Sequence, residues 1–185
     1  MFPRPVPVLL YHFVDGEGDK AGLSVSAKTL ERQFEFLRRR FQPIAPGEML
    51  AALRKEKPCS PRPVVVTFDD GDAAFAAKVY PLLERFRIPA AIFVIAGWIS
   101  RPGYLSWADL QGMSPDLVTV GSHTVTHRYL PELSPDEVRE ELAGSKRILE
   151  QGLSRAVEFF SYPVGGFNSD ISRMARDAGY EAAFT

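Results

Sequence analysis

The chain has 185 residues, 45% of them hydrophobic, and a formal charge of -1 from 22 basic and 23 acidic side chains. That length supports a single domain over residues 1–185 with a sizeable core, and so even a charge balance offers no electrostatic footprint for nucleic acid. One cysteine, Cys59, excludes an internal disulfide framework and has no second thiol for a zinc ribbon.

Along the chain, short apolar runs alternate with segments of helical period, the pattern of strand and helix units around a parallel sheet. Prolines in "MFPRPVPVLLYH" interrupt what would be the apolar stretch of a secretory leader, so none is expected there, and "VPVLLYH" (6–12) reads as a strand. "SAKTLERQFEFLRRR" (26–40) has Ser26 as N-cap and apolar Leu30, Phe34, Leu37 and Phe41 at spacings of three and four, with its basic end in solvent. A short strand at 42–45 and a helix at 46–55 follow. "PVVVTF" (63–68) is a β-branched run suited to a strand covered on both faces, and 72–86 has helical period despite Pro81. Further strands are expected at 90–95, 117–121, 156–160 and 182–185. Helices fit 106–112, 134–151, where Ser134 opens a capping box, and 169–178. No segment reaches the roughly 18 apolar residues of a membrane helix, so a soluble chain without a transmembrane segment is expected, its compartment left open.

About seven strands with intervening helices fit a distorted β/α barrel or an open doubly wound sheet, and periodicity does not choose between them. In both, ligands gather at the carboxyl ends of strands. There "VVVTFDDG" places adjacent carboxylates, Asp69 and Asp70. A strand-to-helix turn capped by Asp70 or Asp72, with a permissive Gly71, would account for that stretch alone. Two of the three histidines lie in "GSHTVTHRYL" as His123 and His127, after another strand. Four residues apart, they would share one face of a helical turn and could bind one divalent ion. A His, His, Asp set leaves coordination positions open, as a catalytic metal site does. The cation's charge would offset the repulsion between the two aspartates and leave the second carboxylate as a base.

Taken together, "TFDDG", "SHTVTH" and "SYPVGGFN" (161–168) resemble, in order, the three motifs of the polysaccharide deacetylase, or NodB-homology, family. "PVLLYH", "LSWADL" and "DAGYEAAFT" resemble the branch of poly-N-acetylglucosamine deacetylases. The resemblance implies an α/β fold, a distorted (β/α)7-type barrel, here incomplete at its C-terminal edge. It also implies a divalent metal, zinc first, with cobalt or nickel as alternatives. The implied reaction is hydrolysis of N-acetyl groups on an acetylated glycan. It assigns Asp70, His123 and His127 as metal ligands, Asp69 as general base and the Val164 backbone N–H as oxyanion donor.

Two departures stand out. Ser161 occupies the place where many members have an arginine that steadies the catalytic aspartate, so orientation of Asp69 is expected to come from elsewhere or to be looser. The late Leu-x-His motif, whose histidine protonates the leaving amine, has no match up to Thr185, which leaves His12 as the candidate acid. Tyr162, Pro163 and Trp107 are the candidate substrate-lining residues, and Asp109 a candidate for tuning an imidazole. Alternatives on the same site are an O-acetyl esterase, a cyclic-amide hydrolase, or a carbohydrate-binding module without turnover. The expected strand at the end of the chain would need a neighbour, which a partner chain or a second copy could supply.

Overall fold

The β-branched run Pro63–Phe68 (β5) is buried along nearly its whole length, as a strand covered on both faces must be. It is the hinge of the architecture in the computed structural model, which describes residues 6–15 and 22–185. Val8–Tyr11 (β1) pairs with it in parallel, and Ala90–Val94 (β6) lies on its other side. Val118–Ser122 (β7), Phe159–Ser161 (β8) and Ala182–Phe184 (β9) continue the sheet, every ladder parallel. With Gln42–Pro43 (β4) against the start of β5, this makes the seven-stranded half-barrel of the expected α/β fold. Among the described residues no ladder joins β9 back to β1, and Val8 and Leu10 on β1 stay 42% and 48% exposed. A separate short pairing, Phe13–Val14 (β2) with Ser24–Val25 (β3), was not foreseen.

Helices cover the convex side. Ala27–Arg40 (α1) begins where Ser26 Oγ accepts from Thr29 N at 3.1 Å, and it buries Leu30, Phe34 and Leu37 as the spacing requires. Such a cap is worth about 1 kcal/mol. Pro46–Leu53 (α2), Trp107–Gly112 (α4) and Ser169–Asp177 (α7) match expectation within a residue or two. Two expected helices are modified by π turns. Over 72–86 the chain first forms a π turn at Phe75–Val79 and only then Tyr80–Phe86 (α3), because Pro81 has no N–H to continue an α ladder. The helix expected at 134–151 is Pro135–Arg139 (α5), a π turn at Glu140–Gly144, and Ser145–Leu153 (α6).

Inside the half-barrel, Phe93 and Phe159 are buried beside Phe184 and Leu50. Gly121 on β7 makes room for them: a Cβ there would sit 2.5 Å from the Phe93 ring and 2.9 Å from the Phe159 carbonyl oxygen. Gly121→Ala is therefore expected to destabilise the protein by about 1–3 kcal/mol, as overpacking does. The measurement is the urea unfolding midpoint, which should fall at unchanged slope.

Candidate metal centre

Four strand ends converge on one point. Asp69 follows β5 and is tied to β1 by its N–H, which donates to the Tyr11 carbonyl at 3.0 Å. Asp70 then takes a left-handed backbone (φ 73°) and Gly71 another (φ 83°), so the chain turns sharply instead of running on. Gly71 is required twice over, since a Cβ would lie 3.0 Å from Val94 Cγ1. The turn separates the neighbouring carboxylates, and Asp72, not Asp70, bonds the backbone entering the next helical turn, accepting from Ala74 N at 2.8 Å.

His123 and His127 do not share a helical turn as expected. Their connection is a loop after β7 in which Thr124 (φ 68°) and His127 (φ 63°) are both left-handed. That loop brings the two Nε2 atoms to 3.1 Å, and Asp70 Oδ1 lies 3.6 Å from the first and 3.4 Å from the second. Ligand atoms of Asp70, His123 and His127 all fall within 4.8 Å of one another and could hold a metal ion.

Ser161, at the end of β8, serves two of these groups at once. Its carbonyl lies 2.9 Å from His123 Nδ1, which fixes that nitrogen as the protonated one and leaves the Nε2 lone pair facing the cluster. Its hydroxyl donates to Asp69 Oδ2 at 3.0 Å. The orientation of Asp69 thus comes from the very residue that departs from the family pattern, correcting the expectation that it must come from elsewhere.

Electrostatics agree with a site built for a cation. Burial lowers the His123 pKa to about 3, so the ring is neutral, the ligating form, and its approach to the carboxylates is not an ion pair. Burial raises Asp69 to about 7, the Ser161 hydrogen bond works against that rise, and Asp70 adds to it. Asp70 is also pushed upward by burial, opposed by the charges of His127 and His12. Asp69 Oδ1 and Asp70 Oδ1 are buried without a hydrogen-bond partner. Two orphaned carboxylate oxygens beside the His123 lone pair and the His127 Nε2 atom fit a divalent ion, and a nearby double positive charge favours both ionised forms.

The remaining expected residues divide. His12 stands just past β1, close enough for its charge to act on Asp70 and His123. Val164 is a β-branched residue in left-handed backbone (φ 57°, ψ 17°), 80% exposed, in the turn Pro163–Gly165. Its N–H has no backbone acceptor among the described residues. Tyr162 and Pro163 are buried rather than open to a substrate, Tyr162 stacking on Phe167 at 5.1 Å. Trp107 is spent elsewhere: its ring lies over Gly152 of α6, where a Cβ would come within 2.1 Å. Trp98 is the tryptophan beside the cluster, 6.3 Å from the His127 ring and 5.0 Å from Tyr104. Asp109 tunes no imidazole; its carboxylate accepts from Ser106 in a capping box.

Against known proteins, the polysaccharide deacetylase family matches over residues 56–183. The chain belongs to the polysaccharide deacetylase family. YxkH of Bacillus subtilis (strain 168), named for that family, is 29% identical over 184 residues, 99% of this chain and 65% of its own length. The poly-β-1,6-N-acetyl-D-glucosamine N-deacetylase of Escherichia coli (strain K12) is 29% identical over 137 residues, 64% of this chain and 20% of that protein. The chain thus spans less than two thirds of these curated relatives. Among solved structures, Streptococcus pyogenes deacetylase PplD in complex with acetate superposes with a TM-score of 0.90 at 25% identity, covering 97% of this chain and 82% of that one. IcaB from Ammonifex degensii gives 0.87 at 28% identity, over 97% and 83%.

Removing any one of the three candidate ligands of this family member, by Asp70→Asn, His123→Ala or His127→Ala, should weaken Zn2+ binding in isothermal titration. The loss should exceed the roughly 10–100-fold typical of residues that only support a ligand. Asp69→Asn, which removes a neighbouring charge but no candidate ligand, should weaken it far less.

Proposed function

We propose that this chain is a divalent-metal-dependent hydrolase that removes N-acetyl groups from N-acetylglucosamine-containing polysaccharide. The observation that carries the proposal is the division of labour between adjacent aspartates. Asp70 Oδ1 lies within 3.6 Å of both imidazole Nε2 atoms, whereas Asp69 approaches only His123, at 3.7 Å through the Oδ2 that also takes the Ser161 hydroxyl, and keeps its other oxygen, Oδ1, free of hydrogen bonds. One carboxylate is placed as a ligand and the other as a base. The substrate class rests on the family and on relatives named for N-acetylglucosamine polymers and chitooligosaccharides.

An ion held by Asp70, His123 and His127, zinc or else cobalt or nickel, would supply an acidified water and a polarised acetamide carbonyl. Asp69 takes the proton of the attacking water through Oδ1, while the Ser161 hydroxyl holds Oδ2 and so fixes the direction of attack. The Val164 N–H, presented by a left-handed turn, donates to the oxygen on which negative charge develops. His12 returns a proton to the departing nitrogen, giving acetate and a free amine. Trp98, 6.3 Å from the His127 ring, and Tyr104, packed edge-on against Trp98, are the aromatic rings placed for a sugar to stack on.

Acetate release from N-acetylglucosamine polymers and chitooligosaccharides tests the reading. Turnover should vanish with a chelator and return with Zn2+, Co2+ or Ni2+. Asp69→Asn should cut kcat by about 10²–10⁴-fold with the metal retained, the range expected for a lost general base. Undiminished turnover by that variant would sink the mechanism. Ser161→Ala removes one hydrogen bond to a charged group and should lower kcat about tenfold at unchanged KM.

A further inference from the structure

The loop Thr124–His127 has little internal reason to adopt its course. Two non-glycine residues in it are left-handed, and each such residue costs about 1–3 kcal/mol unless its surroundings over-determine it. On one side the loop is held by the segment after β6. Ala96 N donates to the Thr124 carbonyl and Gly97 N to the Val125 carbonyl, both at 2.9 Å, and a Cβ on Gly97 would collide with that second oxygen at 2.6 Å. Within the loop, His127 N donates to Thr124 Oγ1 at 2.9 Å. Thr124 N donates to Ser122 Oγ at 3.2 Å, which leaves the amides of Val125 and Thr126 and the Thr126 hydroxyl to be placed.

All three go to one side chain. Glu141 Oε2 accepts from Val125 N at 2.8 Å and from Thr126 N at 2.9 Å, and Oε1 accepts from Thr126 Oγ1. Glu141 is only 6% exposed, and no basic side chain is paired with it among the described residues. A glutamate is almost never buried this way without partners, and a carboxylate is the side chain whose two oxygens can receive several N–H and O–H donors together. It projects from the π turn Glu140–Gly144, a helix irregularity of the kind that clusters at functional sites. Gly144 in the same turn lets the helix close on the loop, for a Cβ there would lie 3.3 Å from Val125 Cγ2.

We infer that Glu141 is a positioning residue of the metal centre: its carboxylate locks the backbone between His123 and His127 in the course that brings the two imidazoles together. The inference rests on the metal reading above. Glu141 touches neither imidazole and acts through the amides of Val125 and Thr126. Without it, two amides and a hydroxyl lose their acceptor, the left-handed residues can relax, and His127 is no longer held against His123 and Asp70.

The test is Zn2+ affinity by chelator competition and the visible absorption of the Co2+ form, in the full chain and its variants. Glu141→Ala should weaken Zn2+ binding about 10–100-fold and alter the Co2+ spectrum, while Glu141→Gln, whose amide oxygen can still accept both backbone N–H groups, should recover most of the affinity. An alanine variant with wild-type affinity and spectrum overturns the inference even if its melting temperature falls, and so does a glutamine variant no better than alanine. Should the alanine variant not fold, Thr126→Val decides: removing the hydroxyl contact weakens Zn2+ binding if the inference holds and leaves it unchanged if not. A wild-type chain that binds neither ion overturns the metal reading itself, a separate outcome.

Discussion

Two aspartates and an imidazole meet at the ends of β5 and β7, and the carboxylates have fewer hydrogen-bond donors than they need. Asp69 and His123 are 5% and 2% exposed, yet Asp69 Oδ1 and Asp70 Oδ1 have no partner. A folded chain tolerates such a deficit only where something else supplies the missing charge. Much around the cluster can be understood as keeping these groups converged despite their mutual cost. Gly71 turns the chain so that neighbouring aspartates face different ways, and Ser161 divides its two polar groups between His123 and Asp69.

Parallel architecture makes that convergence possible. Every ladder in the main sheet runs the same way, so β1, β5, β7 and β8 all deliver their last residues to one rim. The registers bring Tyr11 level with Phe68 and Ser122 level with Phe160, which sets His12 beside Asp69 and His123 beside Ser161 at that rim. Large rings inside the half-barrel and helices outside fix the strands below that rim. The polar cluster therefore sits on an apolar support in which single-atom changes, such as a Cβ on Gly121, are felt.

Much of this was legible in the sequence because period and burial go together. "PVVVTF" reads as a doubly covered strand and is one, and Leu30, Phe34 and Leu37 define the buried stripe of α1. The metal cluster was legible in composition: two of three histidines and two adjacent aspartates, each after a strand. What was hidden depends on backbone courses that spacing does not encode. An i, i+4 pair of histidines implies a helical turn, but Thr124 and His127 are left-handed and the rings meet by a different route. Trp107 looked like a pocket residue by its place after a Pro-Gly loop, while only packing reveals that Gly152 receives its ring. Glu141 and the π turn that carries it leave no trace in helical periodicity, since an extra residue in a turn is set by tertiary contacts.

Ser161 shows how a departure from a family pattern can be physically conservative. An arginine beside a buried aspartate would stabilise its ionised form by charge, whereas a hydroxyl offers one hydrogen bond and no charge. The consequence is visible in the balance at Asp69, where burial outweighs the Ser161 contribution and holds the carboxyl near 7. A carboxylate so held is more basic than an ordinary aspartate once ionised, and a divalent ion held alongside would supply the stabilisation that the missing guanidinium would have given. Geometry and basicity would thereby be uncoupled: the serine sets where Asp69 points, and a charge held by Asp70, His123 and His127 would set how readily it ionises.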